Sequence, residues 1–197
     1  MSTQAEQIKK LRDLTGAGVL DSKRALEEFS GDFDKALAVL KEKALKVAEK
    51  KAERVAKQGV IESYIHAGGK VGVIVQVNCE TDFVAATNDF KALAHNLALQ
   101  IAATKPQYVA PENIPANVVA EQKKIFADAA ASEGKPANIV ERIVAGKWYA
   151  FVKDTCLVRQ AFIRDDKQTI QDLIQATVAK VGENIVVRRF ARFELGE

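Results

Sequence analysis

Residues Val71-Gly72-Val73-Ile74-Val75-Gln76-Val77 admit few structures. Branching at Cβ restricts χ1 and suits a pleated surface, so this valine-rich run favours extended backbone over helix. A stretch so apolar needs cover on both sides, which predicts a mostly buried strand. It runs into Asn78-Cys79-Glu80-Thr81-Asp82-Phe83-Val84-Ala85, after which Asn88 or Asp89 stands as the N-cap of an apolar-periodic helix. Asp82 and Phe83 therefore fall in a short strand-to-helix connection, where a rigid scaffold presents functional groups. Two readings stay open for them. An Asp before a helix is ordinarily a cap or turn residue and a Phe after a strand ordinarily core; a charge and a ring projecting together would instead form an inserted probe.

The flanking sequence builds a sheet and helices around this strand. Residues 60–66 partly alternate, and Ala67-Gly68-Gly69-Lys70 supplies positions able to take positive φ, which predicts a hairpin into the strand from Val71. A helix over 89–104 follows, then a loop through Pro106, Pro111 and Pro115. Helices over 117–132 and 136–154, punctuated by Gly134-Lys135-Pro136, suit an antiparallel pair. Beyond them come an extended piece at 157–163, Asp165-Asp166 as turn residues, a helix over 169–180 and a last strand over 185–195. Alternation puts Val187, Arg189, Ala191, Phe193 and Leu195 on one face of that strand, a plausible interface edge. Arg188, Arg189 and Arg192 read either as a solvated face or as part of an interface. Strands and helices segregate unevenly, so the fold class is α+β, a small antiparallel sheet packed by helices.

The first forty-odd residues form a separate pattern of three short helices. Thr3 and Glu6 have capping-box spacing, Ile8, Leu11 and Leu14 recur at helical intervals, and Gly16-Ala17-Gly18 makes the turn. Val19, Leu26 and Phe29 line a second helix ended by Ser30-Gly31, and Asp32 caps a third with Phe33, Ala36, Leu37 and Leu40 inside. This is a compact ubiquitin-associated-like bundle over 1–45. Residues 46–57, rich in alanine and lysine with interspersed glutamates, read either as a basic contact surface or as a solvated helical linker with the bundle flexibly placed. Residues 58–197 then form the α+β core.

Composition removes several function classes. A formal net charge of +3 gives no broad nucleic-acid-binding surface. Cys79 and Cys156 lack Cys-x-x-Cys spacing, and His66 and His95 are the only histidines, too thin a set for a zinc site; the thiols are expected free, with no metal bound. Gly16-Ala17-Gly18 lacks a preceding strand and a third glycine, Gly69-Lys70 and Gly134-Lys135 lack the rest of a Walker loop, and no nucleophile elbow occurs. No covalent enzyme chemistry and no cofactor are expected. The polar N-terminus and the lack of a long apolar run lead us to expect a cytoplasmic chain with no membrane partner.

Three segments carry a resemblance. Val77-Asn78-Cys79-Glu80-Thr81-Asp82-Phe83-Val84-Ala85 resembles a signature of the elongation factor Ts family, the nucleotide exchange factors of bacterial elongation factor Tu. Leu11 to Leu26, containing Arg12-Asp13-Leu14-Thr15-Gly16-Ala17-Gly18, is similar to the family's N-terminal motif, and Val181-Gly182-Glu183-Asn184-Ile185-Val186-Val187-Arg188-Arg189-Phe190 to a third, in the family's order. The resemblance implies that Thr81, Asp82, Phe83 and Val84 enter the partner and dislodge its magnesium ion. It implies docking by the bundle through Arg12, Thr15, Gly16, Ala17, Gly18 and Asp21, with Leu14, Leu20 and Leu26 packing inside. The hairpin resembles ones in which a tip histidine contacts the partner, which makes His66 either a contact or an exposed histidine without a role. Gln160-Ala161-Phe162 replaces the family's usual Gln-Pro-Phe. Longer members carry a duplicated core, whereas this chain has one tip; short members look as if they homodimerise, so that a dimer engages two partner molecules. A helical-bundle protein-binding adaptor without exchange activity is the alternative, and a basic ribosome-binding protein a third.

Overall fold

The structure, a computed structural model, describes residues 3–132, 134 and 136–196. Contacts divide the chain into two units, one of residues through Ala103 together with those from Ala161, the other Thr104–Gln160. The architecture is α+β, with helices beside a three-stranded antiparallel sheet and a two-stranded one.

In the first unit, α1 (Gln4–Thr15), α2 (Val19–Glu28) and α3 (Phe33–Lys51) enclose Leu11, Ala25, Leu26, Ala36 and Leu40. The Thr3–Glu6 capping box starts α1, and Gly16, at φ 69°, ends it. Asp32 Oδ1 accepts from the Lys35 amide at the start of α3. That helix continues through 46–51, because alanine and lysine favour helix and nothing interrupts them before the turn at 52–54.

The sheet has the order β1-β2-β5, built from β1 (Gln58–Ile65), β2 (Val71–Cys79) and β5 (Val186–Glu194). The expected hairpin joins β1 to β2, with Gly68 and Gly69 at positive φ and the His66 amide donating to the Val71 carbonyl. Val73, Val75 and Val77 are buried in the central strand, and helix α5 (Asn88–Thr104), with its buried Phe90, Leu93, Leu97 and Ile101, reaches the sheet where His95 Nδ1 lies 3.3 Å from Glu62 Oε1 of β1. α8 (Ile170–Val181) starts on a Thr169–Asp172 capping box and ends at Gly182.

Two sequence expectations are corrected here. β5 carries a bulge: Gln76 faces Arg189 while Val77 faces Val187, which leaves Arg188 unpaired. Val187 is therefore buried on the inner face, whereas Arg189, Ala191, Phe193 and Leu195 are exposed on the outer one, because one extra residue reverses a two-residue alternation. Arg192 points inward with its side chain 9% exposed, paired to Glu194 at 2.6 Å, so it does not share the outer face with Arg189. Asp165 and Asp166 begin a strand, β4 (Asp165–Thr169), that pairs with β3 (Ala161–Phe162). The turn falls at Ile163-Arg164, and the buried Gln100 amide holds the hairpin by donating to the Ala161 carbonyl and accepting from the Ile163 amide.

The second unit contains α6 (Ala116–Ser132) and α7 (Ala137–Thr155), with Lys135 of the punctuating Gly134-Lys135-Pro136 outside the described residues. The helices lie against each other with Lys123 Nζ 5.1 Å over the Trp148 ring. The Leu157 amide returns to the Tyr108 carbonyl at 2.9 Å and closes the unit. Cys79 and Cys156 are both free and buried.

Candidate functional site

Strand β2 delivers Cys79 to the base of the tip with its side chain buried, and its Sγ donates to the Thr81 carbonyl at 3.1 Å. Burial first, then the nearby Glu183 carboxylate, pushes this thiol above the ordinary range, so it stays protonated near neutrality. Thr81 is the N-cap of a single-turn helix α4 (Asp82–Ala86). Its hydroxyl accepts from the Val84 amide at 3.3 Å and donates to Glu183 Oε1 at 2.6 Å. The other Glu183 oxygen accepts from the amides of Glu80 (3.1 Å) and Thr81 (3.0 Å).

The turn of α4 decides where the ring goes. Ala85 is buried, and residues about 100° apart per step put Phe83 on the opposite side of the turn. Phe83 is accordingly 82% exposed, with Asp82 exposed beside it and Val84 half-buried. The core reading of Phe83 is thereby excluded. Asp82 is a first-turn residue rather than the cap. Thr87, not Asn88 or Asp89, caps α5: its hydroxyl accepts from the Phe90 amide at 3.3 Å and donates to the Val84 carbonyl at 2.7 Å.

The N-terminal candidates divide between surface and interior. Arg12 and Gly18 are exposed, Ala17 packs partly against the bundle core, and Asp21 pairs with Lys43 at 3.0 Å. Thr15 is 1% exposed and donates to the Leu11 carbonyl at 2.6 Å. Gly16 approaches α8 so closely that a Cβ would sit 2.0 Å from the Ala176 carbonyl oxygen. Thr15 thus lies under the surface it was expected to present, while Gly16 is half-buried against α8. Leu20 reverses in the other direction: expected inside, it is 68% exposed, next to Val19. The signal for this was Ser22, fully buried three residues before Ala25 and four before Leu26, which turns Leu20 outward by helical period.

His66 is exposed at the hairpin, its Nδ1 3.0 Å from the Tyr64 hydroxyl. It is not brought together with Asp82 and Phe83. The nine residues of β2 separate them, roughly 30 Å at 3.3 Å per residue. Sequence reasoning missed two further features. One is the Glu183 brace, whose signal was a carboxylate just after the αL glycine of α8. The other is the extent of the outer sheet face, where Ile61, Ile65 and Ile74 are exposed in addition to the Phe193 and Leu195 already expected at an interface edge. Among the described residues no group of three or more His, Cys, Asp or Glu is arranged to hold a metal ion, and no helix is long and apolar enough to cross a membrane.

Comparison with known proteins gives one consistent family. Residues 3–197 match the family model described as Elongation factor TS. A protein named Elongation factor Ts from Coprothermobacter proteolyticus is 55% identical over 197 residues, covering all of both chains. Proteins of the same name from Carboxydothermus hydrogenoformans and Moorella thermoacetica are each 51% identical over 193 residues, which is 98% of this chain and 89% and 95% of theirs.

Proposed function

Because the chain belongs to the elongation factor Ts family, we propose that it is a guanine-nucleotide exchange factor for elongation factor Tu, acting in translation elongation in the cytoplasm. The observation that carries the reading is the tip: a phenylalanine ring 82% exposed on a helical turn anchored from below. A ring so exposed adds nothing to this chain's own core and offers apolar area for a partner to bury.

Tight GDP binding by such a GTPase depends on backbone amides, a lysine and a magnesium ion that neutralises the diphosphate. Thr81 to Val84 enter the partner; Phe83 acts as the wedge, and the Asp82 carboxylate perturbs the polar contacts that hold the ion. Linkage then makes the effect reciprocal: if the factor weakens GDP binding, GDP weakens binding of the factor by the same ratio. A weakening of about 10⁴ corresponds to roughly 5.5 kcal/mol of coupling, within reach of a buried ring and one displaced ion. GTP then refills the site and releases the factor. No covalent step and no cofactor are needed.

The bundle docks on the partner through the exposed Arg12, Gly18, Val19 and Leu20, with Ala17 and Asp21 beside them. Thr15 acts from beneath and Gly16, half-buried at the surface's edge, fixes the α1–α2 turn. His66 is a second, peripheral contact at the other end of β2. The outer face of the sheet, with its row of exposed Ile61, Ile65, Ile74, Phe193 and Leu195, supports a homodimer that engages two partner molecules. A Phe193→Asp variant that still sediments as a dimer would remove that assignment.

The deciding experiment is stopped-flow release of fluorescent GDP from elongation factor Tu at fixed magnesium, comparing wild type with Asp82→Ala and Phe83→Ala. Acceleration by wild type, reduced in either variant while complex formation survives, is expected. No acceleration by folded wild type rejects the exchange reading in favour of the adaptor.

A further inference from the structure

Two loops distant in sequence exchange their carboxylates at the base of the tip. Glu183 satisfies the amides of Glu80 and Thr81 and the Thr81 hydroxyl. In return Glu80 Oε1 accepts from the Asn184 amide at 2.7 Å. Asn184, itself 6% exposed, donates from Nδ2 to the carbonyls of Ala52 (3.2 Å) and Arg54 (2.8 Å), just past the end of α3. Lys51 Nζ reaches the Gly182 carbonyl, and Arg54 lies 3.7 Å from Glu80.

The chemistry of this interlock is more than packing. A carboxylate that accepts from two successive amides and one hydroxyl fixes the direction in which the chain leaves β2, because charge-assisted bonds are short and directional. The Thr81 hydroxyl is oriented by the same contact, since giving its proton to Glu183 leaves its lone pair for the Val84 amide. The first turn of α4, and with it the azimuth of Phe83, therefore depends on Glu183.

We propose that Glu183 is a positioning residue for exchange: it touches neither nucleotide nor partner but holds the Thr81–Val84 turn in its inserting pose, in one rigid path with the end of α3. The inference rests on the tip-insertion reading above. Misplacing a working group by about 1 Å costs up to about a hundredfold in rate, so loss of the brace lowers the maximal rate rather than the affinity.

Three substitutions separate reach from charge. Glu183→Gln keeps the length and one of the two acceptor oxygens, which can still take the Glu80 and Thr81 amides while its NH2 donates to the Thr81 hydroxyl oxygen; Glu183→Asp keeps the charge and loses reach, and Glu183→Ala loses both. The expected result, read as GDP release at saturating factor, is a loss of about tenfold or more for Ala and Asp. Gln stays within about threefold of wild type, and the half-saturating concentration moves less than about twofold throughout. Should the Ala variant not fold, the Asp–Gln pair carries the decision. Wild-type rates for Asp, or a larger loss for Gln than for Asp, overturn the inference. On a Phe83→Ala background, Glu183→Asp should add almost nothing, because the wedge it aims is gone; multiplied losses overturn it too.

A second readout needs no partner. Hydrogen exchange at the Glu80 and Thr81 amides of the free protein is expected to be slow in wild type and Gln and faster in Asp; equal exchange in all three overturns the brace. If Phe83→Ala leaves GDP release unchanged while these amides still lose protection in Asp, the insertion reading has failed. The role of Glu183 in exchange is then overturned with it.

Discussion

The two ends of β2 are built differently. At the Asn78–Val84 end, side chains from another part of the chain reach the backbone: Glu183 to Glu80 and Thr81, with Cys79 and Asn78 adding bonds to Thr81 and Ala56. At the His66–Lys70 end backbone bonds hold the turn, His66 to Val71, Gly69 to His66 and the Leu195 amide to the Lys70 carbonyl, with the Tyr64–His66 contact alongside. Glycines mark the contrast. A Cβ at Gly59, which pairs with Asn78, would lie 2.1 Å from the Val77 carbonyl oxygen, whereas Gly68 and Gly69 face open space. One strand thus carries a defined pose at one end and a tolerant turn at the other, and only the first suits a wedge that must arrive in a fixed orientation.

Substitutions can break or sharpen this contrast. The largest effect belongs to Gly59→Ala, which combines φ 142° with a backbone clash; we expect about 3 kcal/mol lost in urea unfolding. Phe83→Ala should slow GDP release from the partner about a hundredfold, about 2.7 kcal/mol, with an unchanged Tm because the ring is exposed. Gly68→Ala meets only the strain of positive φ, about 1 kcal/mol. A Gly68→Ala loss equal to that of Gly59→Ala would remove the distinction between the ends.

The thiol at the braced end gives a smaller, pH-dependent effect. Cys79 is raised above the ordinary thiol range, so the unfolded chain releases this proton first as pH climbs. Its contribution to stability is intact below about pH 8.5, the ordinary thiol value, and falls as pH rises beyond it. Urea midpoints from pH 7 to 10 should fall less steeply in Cys79→Ala than in wild type. Smallest of all, His66→Ala should change stability by less than about 0.5 kcal/mol and GDP release by less than about threefold.

Much of this was legible in the sequence because local rules and tertiary structure agree. The valine run, the Gly68-Gly69 turn, the Thr3–Glu6 box and the 170–181 helix each follow from neighbours within one or two turns. The failures share a cause. Leu20 and Val187 were assigned by type or simple alternation and Thr15 through the family resemblance, but their burial depends on a bulge and on which face of each helix meets the rest of the bundle and α8. Phe83 was open between core and probe because its direction is set by a one-turn helix too short to leave a periodic signal. The Glu183 contact spans over a hundred residues, and no local pattern encodes it.

The unpaired Arg188 has a consequence for how β5 tolerates change. A strand read two residues at a time has a phase, and Arg188 shifts that phase once, letting Val187 serve the interior and Phe193 the exterior. Deleting this single arginine would leave Val187 opposite Val77 and Arg189 opposite Gln76, so both faces survive and only the local kink is lost. Inserting one residue after Phe190 would instead turn Arg192 outward and Phe193 inward. A one-residue deletion at 188 should therefore do less damage than a one-residue insertion at 190, since only the insertion transposes a whole face.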